Sequence, residues 1–281
     1  MTGRIIKAIA GDYWVETDEG IIVTKPRGVF RHRGASPVVG DYVDLVDKTI
    51  TKIHKRKNKL VRPNIANIDC ALLVFSLQDP KPDFLILDTM VANVLDQNIE
   101  PIVIFNKSDL VEDEYIEEFR DIYRMFRLEF VSTLDEASVE GLLESLEPGL
   151  YVLAGPSGAG KSSMINKLTG QQLFEVGQIS QRIKRGKHTT RHHELIHLAD
   201  GVYLADTPGF QTLELNSMEA TELREIYPEF QDLEKCRFLD CLHDKEPGCR
   251  VKEAYEAGTI NKTRYENYLL LLDELRSRKD Y

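Results

Sequence analysis

The sequence predicts a multidomain α/β protein, in which a small β-barrel, a mostly parallel sheet covered by helices on both faces and a helical module follow one another. Three observations support this prediction. The N-terminal part has short strands separated by turns, the middle alternates apolar runs with amphipathic stretches, and the last part is helical around a cysteine cluster. With 281 residues and 42% hydrophobic content, the chain is long enough to bury several cores.

Residues 1–62 predict an OB-like barrel. Runs with strand character are bounded by turn residues such as Gly11-Asp12 and Lys25-Pro26. These runs cover residues 5–10, 13–16, 21–24, 39–47 and 49–55. About five short strands in one short segment are typical of a small closed barrel, and the OB-fold is a common host for that pattern.

The same segment is basic in an otherwise acidic chain. Residues 1–62 contain 13 Lys and Arg against 7 Asp and Glu, a net charge of +6, so the rest carries −16 of the total of −10. The run KIHKRKNK at 52–59 is its densest part. We expect this barrel to contact a polyanion such as RNA, the alternative being a solvated surface with incidental charge.

Residues 63–215 predict a parallel sheet with helices on both faces. Apolar runs cover 70–76, 101–105, 128–132, 150–155 and 201–206, and helical stretches lie near 83–97, 113–126 and 136–146 and after Lys161. Continuous apolar strands separated by helices indicate parallel strands that are buried on both sides. From about residue 216 to 281 the pattern is helical and ends in a long amphipathic stretch at 261–280.

The segment GPSGAGKS at 155–162 has the spacing of a phosphate-binding loop between a strand and a helix. Glycines let successive backbone N–H groups point at phosphate oxygens, and the following helix presents its positive end. Lys161 is expected to reach the β- and γ-phosphates, and Ser162 to offer a hydroxyl to Mg²⁺. The predicted phosphate-binding residues are Gly155, Pro156, Ser157, Gly158, Ala159, Gly160, Lys161, Ser162 and Ser163.

The segment DTPG at 206–209 follows another apolar strand. A carboxylate at the C-terminal end of such a strand lies where open α/β sheets bind ligands. We expect Asp206 to hold the magnesium ion through water and the Gly209 N–H to sense the γ-phosphate.

The segment NKSD at 106–109 predicts the base-reading part of a guanine-nucleotide site, GTP or GDP. The Asp109 carboxylate can accept hydrogen bonds from N1–H and the N2 amino group of guanine, which adenine does not offer. Asn106 can bond the base or brace the loop, the Lys107 stem can lie against the ring, and Ser108 completes the segment. Ser132 and Thr133 follow a further strand, where a backbone N–H could meet the guanine O6.

The order of these segments is unusual, because the base-reading NKSD precedes the phosphate-binding loop. In an ordinary GTPase the phosphate-binding loop comes first. Since domain termini often lie close together, a domain can be joined there and cut elsewhere while its sheet is preserved. The sequence therefore predicts a circularly permuted P-loop GTPase domain.

Three of the four cysteines crowd into one short segment, and this segment predicts a structural zinc site. Four ligands within 14 residues suit tetrahedral Zn²⁺ and leave no open position. The predicted ligands are Cys236, Cys241, His243 and Cys249. Cys70 lies in an apolar run and is predicted to be part of a core.

The sequence also predicts where the chain is located. No segment approaches the roughly 20 apolar residues of a membrane span, and the N-terminus has no apolar stretch typical of a secretory signal. The clustered cysteines suit an intracellular metal site better than a disulfide framework. We therefore expect a cytoplasmic protein with no membrane partner.

Together, these features resemble the bacterial ribosome small-subunit-dependent GTPases, the circularly permuted RsgA (YjeQ/YloQ) family. The resemblance spans the whole chain: an OB-like start, the permuted GTPase core and a terminal zinc module. It implies GTP hydrolysis stimulated by the small ribosomal subunit and its rRNA, with a role in late maturation of that subunit. We expect a monomer that uses Mg²⁺ and one Zn²⁺.

Between the phosphate-binding loop and DTPG lies ISQRIKRGKHTTRHHE at 179–194, which is rich in basic residues and is predicted to be ordered by rRNA. By similarity to related GTPases, Thr190 is expected to bind Mg²⁺, with Thr189 as the alternative. Phe210 stands where many GTPases carry a glutamine that orients water, so intrinsic turnover should be slow, about 10⁻⁴–10⁻³ s⁻¹ or less. His188 is the candidate to orient water, the alternative being a loop histidine without a catalytic role.

Two readings compete with an RNA-activated GTPase. One is a non-enzymatic RNA-binding scaffold whose nucleotide only stabilises the fold. The presence of Lys161, Ser162, Asp206 and the threonines Thr189 and Thr190 argues against it. The other is an ATP-dependent kinase built on the same loop, and NKSD argues against that. The barrel directly precedes the GTPase core and the zinc module directly follows it. We therefore expect both flanking domains to bind RNA in the GTP state.

Overall fold

The computed structural model describes residues 1–28, 30, 36–60, 63–170, 193–205 and 218–278. Within these ranges the strands form one sheet of 11 strands, which runs from a barrel at one end to an open, mostly parallel sheet at the other. None of the helices in these ranges is long and apolar enough to cross a membrane.

The first five strands form a closed barrel, as predicted. They are β1 Thr2–Ile9, β2 Asp12–Thr17, β3 Gly20–Pro26, β4 Tyr42–Val46 and β5 Thr49–Ile53. The barrel closes in the order β1-β2-β3-β5-β4-β1, with β3 and β5 parallel and the other pairs antiparallel. Its interior is filled by Ile5, Val15, Val43 and Ile50, each fully buried.

The remaining six strands form the open sheet. They are β6 Cys70–Ser76, β7 Glu100–Asn106, β8 Arg127–Val131, β9 Gly149–Ala154, β10 His193–Ala199 and β11 Val202–Ala205. Their order is β10-β11-β9-β6-β7-β8, and all neighbours are parallel except β10 and β11. The strand that leads into the phosphate-binding loop therefore lies inside the sheet, next to the first strand of the domain.

Helices cover both faces of this sheet, as the continuous apolar runs predict. The helices are α1 Phe84–Asp96, α2 Asp113–Ile122, α3 Glu136–Ser145 and α4 Lys161–Thr169. Alternate residues of one strand enter different cores: Leu73 and Phe75 belong to the core under α1 and α2, whereas Leu72 and Val74 belong to the core under α3 and α4. The predicted fold class is therefore confirmed.

The strand β10 was not predicted from the sequence. The sequence pattern predicts a polar loop between the helix after Lys161 and the strand at 201–206, but β10 occupies His193–Ala199. Its composition is half polar because it lies between the barrel and the open sheet. Among its described side chains only Leu195 is buried, at 7% exposed, so the apolar signal of a central strand is missing.

The C-terminal module is helical. It contains α5 Ala220–Ile226, α6 Pro228–Gln231, α7 Arg250–Glu256 and α8 Lys262–Arg278. These helices share a core that includes Leu223, Tyr227, Tyr268 and Leu271, together with Ala92 of α1. The module is thus packed directly on the GTPase-like sheet domain.

A buried ionic network anchors this module, and nothing in the sequence pattern predicted it. The Arg264 side chain of α8 is 1% exposed, bonds the Glu229 carboxylate (Nε to Oε1, 2.6 Å) and pairs with Asp88 of α1. Asn267 donates to the other oxygen of Asp88 at 2.6 Å, and the guanidinium lies 4.6 Å from the Tyr227 ring centre. A buried charge needs such partners, so the network fixes the module on α1.

Candidate nucleotide site and zinc centre

Three of the predicted segments meet at the C-terminal edge of the parallel strands. The phosphate-binding loop follows β9, NKSD begins at the end of β7, and Ser132 follows β8. Because these strands run in parallel, their ends lie at one edge of the sheet, where α/β proteins bind ligands. The chain order differs from the usual one, but the spatial arrangement is that of a single site.

Two glycines of the phosphate-binding loop stand where no side chain would fit. Gly155 has φ +144°, and a Cβ there would lie 2.0 Å from the Val74 carbonyl oxygen. Gly160 has φ +94°, and its Cβ would lie 2.0 Å from the Asn106 side-chain nitrogen. Close packing against β6 and β7, and not only backbone freedom, therefore requires glycine at these two positions.

Lys161 begins α4 with its side chain folded back into the loop. It is 7% exposed, and its ammonium donates to the carbonyl oxygens of Gly155 at 2.8 Å and Pro156 at 2.6 Å. Burial lowers the pKa of Lys161 to about 8. The ammonium is therefore held at the mouth of the loop by neutral carbonyls, and an anion would stabilise its charged form.

This lowered pKa predicts how nucleotide binding depends on pH. A bound phosphate raises the pKa of Lys161, so affinity is flat below about pH 8 and falls as the free ammonium deprotonates above it. By linkage, we expect GDP affinity to be about tenfold weaker at pH 9 than at pH 7.5. Calorimetric titration across this range measures it, with Lys161→Arg as control, because a guanidinium stays charged. A wild-type affinity that is unchanged up to pH 9 would contradict the assignment.

Asn106 joins the base-reading segment to the phosphate-binding loop. It is fully buried, donates to the Ala159 carbonyl at 2.9 Å and accepts from the Thr133 N–H at 3.2 Å. One side chain thus ties together three loops that lie far apart in the sequence. Asn106 therefore braces the two neighbouring loops, which is one of the two roles predicted for it.

Lys107 and Asp109 are the two charged side chains of the predicted base-reading segment. The backbone of Lys107 is left-handed, with φ +63°, and its ammonium donates to the carbonyl oxygens of Gln78, at 3.2 Å, and Asp79. This contact tethers the loop after β6 to the base-reading segment. Asp109, in the short 3₁₀ turn Ser108–Leu110, is exposed, so its carboxylate is available to a ligand.

The segment after β8 is more constrained than its sequence indicated. The Ser132 N–H donates to the Ser138 hydroxyl at 3.1 Å, and the Thr133 N–H is taken up by Asn106. Leu134, which we did not predict, leaves 85% of its surface exposed beside them. Since this exposed apolar side chain lies next to the predicted base-reading segment, it is a candidate to pack against a guanine ring.

Several predicted residues lie outside the described residues. They are His188, Thr189, Thr190, Asp206 and Gly209, and with them most of the basic segment 179–194. The described strands on either side end close to them: β10 begins at His193, and β11 ends at Ala205.

The basic run of the barrel is partly neutralised within the fold. Arg56 forms a two-pronged ion pair with the fully buried Asp41, at 2.7 and 2.8 Å, and therefore stabilises the barrel. Lys52, Lys55, Lys57 and Lys59 are exposed, although Lys52 lies 4.0 Å from Asp44 and Lys57 lies 3.4 Å from Asp69. The polyanion contact predicted for this run therefore depends on lysines that are only partly neutralised within the fold.

The four predicted zinc ligands converge on one point. Their ligand atoms all lie within 4.8 Å of one another. The sulfurs of Cys236 and Cys249 are 3.9 Å apart, and they lie 3.6 and 3.4 Å from the His243 Nδ1. Tetrahedral zinc with bonds of about 2.3 Å to sulfur places two sulfurs about 3.8 Å apart, so the arrangement fits this ion.

The surroundings of the cluster favour a bound cation. Burial raises the pKa of Cys241 to about 12, so a thiolate forms there only when a positive charge offsets the burial. Burial lowers the pKa of His243, which keeps the imidazole neutral and able to ligate. Backbone N–H groups of Arg250 and Lys252 donate to the sulfurs of Cys236 and Cys249 at 3.3 and 3.4 Å. Such contacts support ligands around a metal.

Comparison with known protein families gives two matches that together cover most of the chain. The family described as RsgA GTPase matches residues 53–216, and the RsgA N-terminal domain matches residues 2–52.

Individual relatives are similar over their full lengths. A Clostridium beijerinckii protein named small ribosomal subunit biogenesis GTPase RsgA is 44% identical over 283 residues, which cover 98% of this chain and 97% of that protein. A protein of the same name from Clostridium acetobutylicum is 41% identical over 288 residues, covering all of both chains.

Solved structures show the same architecture. YjeQ from Thermotoga maritima has a TM-score of 0.84 at 33% identity, with 98% of each chain covered. YloQ, described as a circularly permuted GTPase, has a TM-score of 0.83 at 34% identity, covering 99% of this chain and 95% of that one.

Proposed function

Because this chain belongs to the RsgA GTPase family, we propose that it hydrolyses GTP to GDP and phosphate, is stimulated by the small ribosomal subunit and acts in late maturation of that subunit. One observation carries the proposal. The phosphate-binding loop and the base-reading segment occur in permuted order, yet Asn106 bonds one to the other at 2.9 Å. A chance match of either segment would not produce this contact.

In the proposed site, the loop amides and Lys161 bind the phosphates, and Asp109 reads the guanine edge. Asn106 holds the two halves in register, while the Lys107 stem and Leu134 lie against the faces of the ring. Ser162, Thr190 and Asp206 hold Mg²⁺, Asp206 through water, with Thr189 as the alternative to Thr190. Mg²⁺ supplies charge neutralisation at the phosphates.

The catalytic proposal concerns His188. Phe210 has no group that could orient water, so a polar residue must come from elsewhere in the chain. His188, in the basic segment before β10, orients the attacking water when rRNA orders that segment. The Gly209 N–H then senses the γ-phosphate.

The zinc proposal is structural. Cys236, Cys241, His243 and Cys249 hold one Zn²⁺ and leave no position for substrate, so the ion contributes ligand bonds that stabilise the small module. The barrel contributes exposed lysines to the rRNA contact. The domains are residues 1–62, 63–215 and 216–281, and the protein acts as a cytoplasmic monomer.

Nucleotide-dependent binding tests the proposal. We expect the chain to co-sediment with purified small ribosomal subunits at least about tenfold more tightly with a non-hydrolysable GTP analogue than with GDP, which corresponds to a coupling free energy of about 1.4 kcal/mol. The large subunit is the matched control. Equal affinity for the small subunit in both nucleotide states would contradict it.

A further inference from the structure

The barrel is attached to the open sheet through the hairpin formed by β10 and β11. Strand β1 pairs antiparallel with β10, with Lys7 opposite Glu194 and Ala8 opposite His193. The Lys7 ammonium lies 2.8 Å from a Glu194 carboxylate oxygen. Backbone pairing and an ion pair therefore join the barrel to the open part of the sheet at the same point.

Tyr203 of β11 provides the second attachment. Its hydroxyl donates to the Glu16 carboxylate of β2, and the guanidinium of Arg4 lies 5.6 Å from its ring centre. Arg4 is 8% exposed and lies between the rings of Tyr203 and Tyr42. One residue of the hairpin thus contacts three strands of the barrel, directly or through Arg4.

The hairpin of β10 and β11 lies in the chain between two segments that are predicted to sense the nucleotide. β10 begins at the end of the basic segment 179–194, and β11 ends at Ala205, the residue before Asp206. β11 also pairs with β9, the strand of the phosphate-binding loop, with Tyr203 opposite Leu150. The zinc module, in contrast, is anchored on α1 through Arg264 and Asp88.

We propose that Tyr203 and the Lys7–Glu194 pair are positioning residues that couple RNA contacts of the barrel to the two nucleotide-sensing segments on either side of the hairpin. The inference rests on the proposed function, which it deepens by naming the path of activation. When RNA binds the barrel, the attached hairpin is held in one conformation. RNA binding therefore favours the nucleotide state in which the hairpin has that conformation. Coupling of this kind is reciprocal.

Single and double variants of the full-length protein test the path. Tyr203→Leu removes the hydroxyl contact and the ring under Arg4, and we expect it to reduce subunit-stimulated GTP turnover at least about tenfold. Tyr203→Phe removes only the contact to Glu16, and a reduction of about threefold is expected. Basal turnover without subunits should stay within about twofold of wild type in both variants, because Tyr203 is not among the residues proposed to bind the nucleotide.

A charge swap separates coupling from RNA contact. Lys7→Glu and Glu194→Lys alone should each reduce the stimulation about threefold to fivefold, and the Lys7→Glu/Glu194→Lys double variant should restore it to within about twofold. A double variant as poor as Lys7→Glu alone would show that Lys7 binds RNA directly. Undiminished stimulation in Tyr203→Leu would overturn the proposal.

Hydrogen exchange distinguishes this inference from the proposed function. If wild type is not stimulated by subunits, the proposed function fails, but coupling remains measurable in the free protein. Amides of β1 should exchange at least about threefold more slowly with a GTP analogue than with GDP, and Tyr203→Leu should abolish the difference. Identical exchange of β1 in both nucleotide states of wild type would reject the coupling itself.

Discussion

Replacing Asp109 with Asn is expected to weaken GTP binding by about 10²- to 10³-fold. Two hydrogen bonds from guanine to a carboxylate are lost or weakened, each contributing about 1.5–3 kcal/mol. The same change should create affinity for xanthosine triphosphate, because its 2-carbonyl accepts a hydrogen bond that the new amide can donate. Competition binding with GTP, ATP and xanthosine triphosphate measures the exchange of preference.

The control for this change lies nearby in the chain. Asp113→Asn alters an equally exposed carboxylate at the start of α2, and it should leave all three affinities within about twofold of wild type. An Asp109→Asn variant that keeps its GTP preference would remove the base-reading role. If wild type bound ATP as well as GTP, and Asp109→Asn changed neither affinity, the P-loop kinase hypothesis would be the better one.

Loss of zinc is expected to unfold the C-terminal module. Structural zinc sites contribute about 10–16 kcal/mol of apparent binding free energy, more than the whole stability of most domains. Cys249→Ser removes a ligand whose sulfur lies 3.4 Å from His243. We expect zinc content to fall from one ion per chain towards none, and the region after residue 218 to become sensitive to proteolysis.

Elemental analysis and limited proteolysis measure both effects. The matched control is Cys70→Ser, since Cys70 lies in β6 outside the cluster, and it should keep full zinc content. The network of Arg264 and Asp88 would remain in the Cys249→Ser chain. A module that stays protease-resistant after zinc is lost would therefore show that this network, and not the metal, stabilises it.

The sequence was sufficient to predict features that have a local signature. Apolar runs located β6, β7 and β9 to within a residue or two, because strands buried on both faces have no polar positions to obscure their limits. The cluster of Cys236, Cys241, His243 and Cys249 was located because these four side chains fall within one short segment. The reversed order of NKSD and the phosphate-binding loop predicted the permutation.

Features that depend on distant partners could not be read from the sequence. Arg264 looks like one more surface cation of an amphipathic helix, and only its position against Asp88 makes it a buried anchor. Arg56 looked like part of an RNA-binding run, but Asp41 takes up its charge. The strand β10 was missed because only Leu195 among its described side chains is buried, and because one of its two partners, β1, lies at the opposite end of the chain.

The most direct test is phosphate release from GTP, with and without purified small ribosomal subunits, for wild type and His188→Ala. We expect a slow basal rate of wild type, about 10⁻⁴–10⁻³ s⁻¹ or below, which small subunits raise at least about a hundredfold. This stimulation should be lost in His188→Ala. Stimulation that survives in His188→Ala would keep the ribosomal partner and reject that residue as the catalytic one. A wild-type rate that small subunits leave unchanged would contradict the central claim.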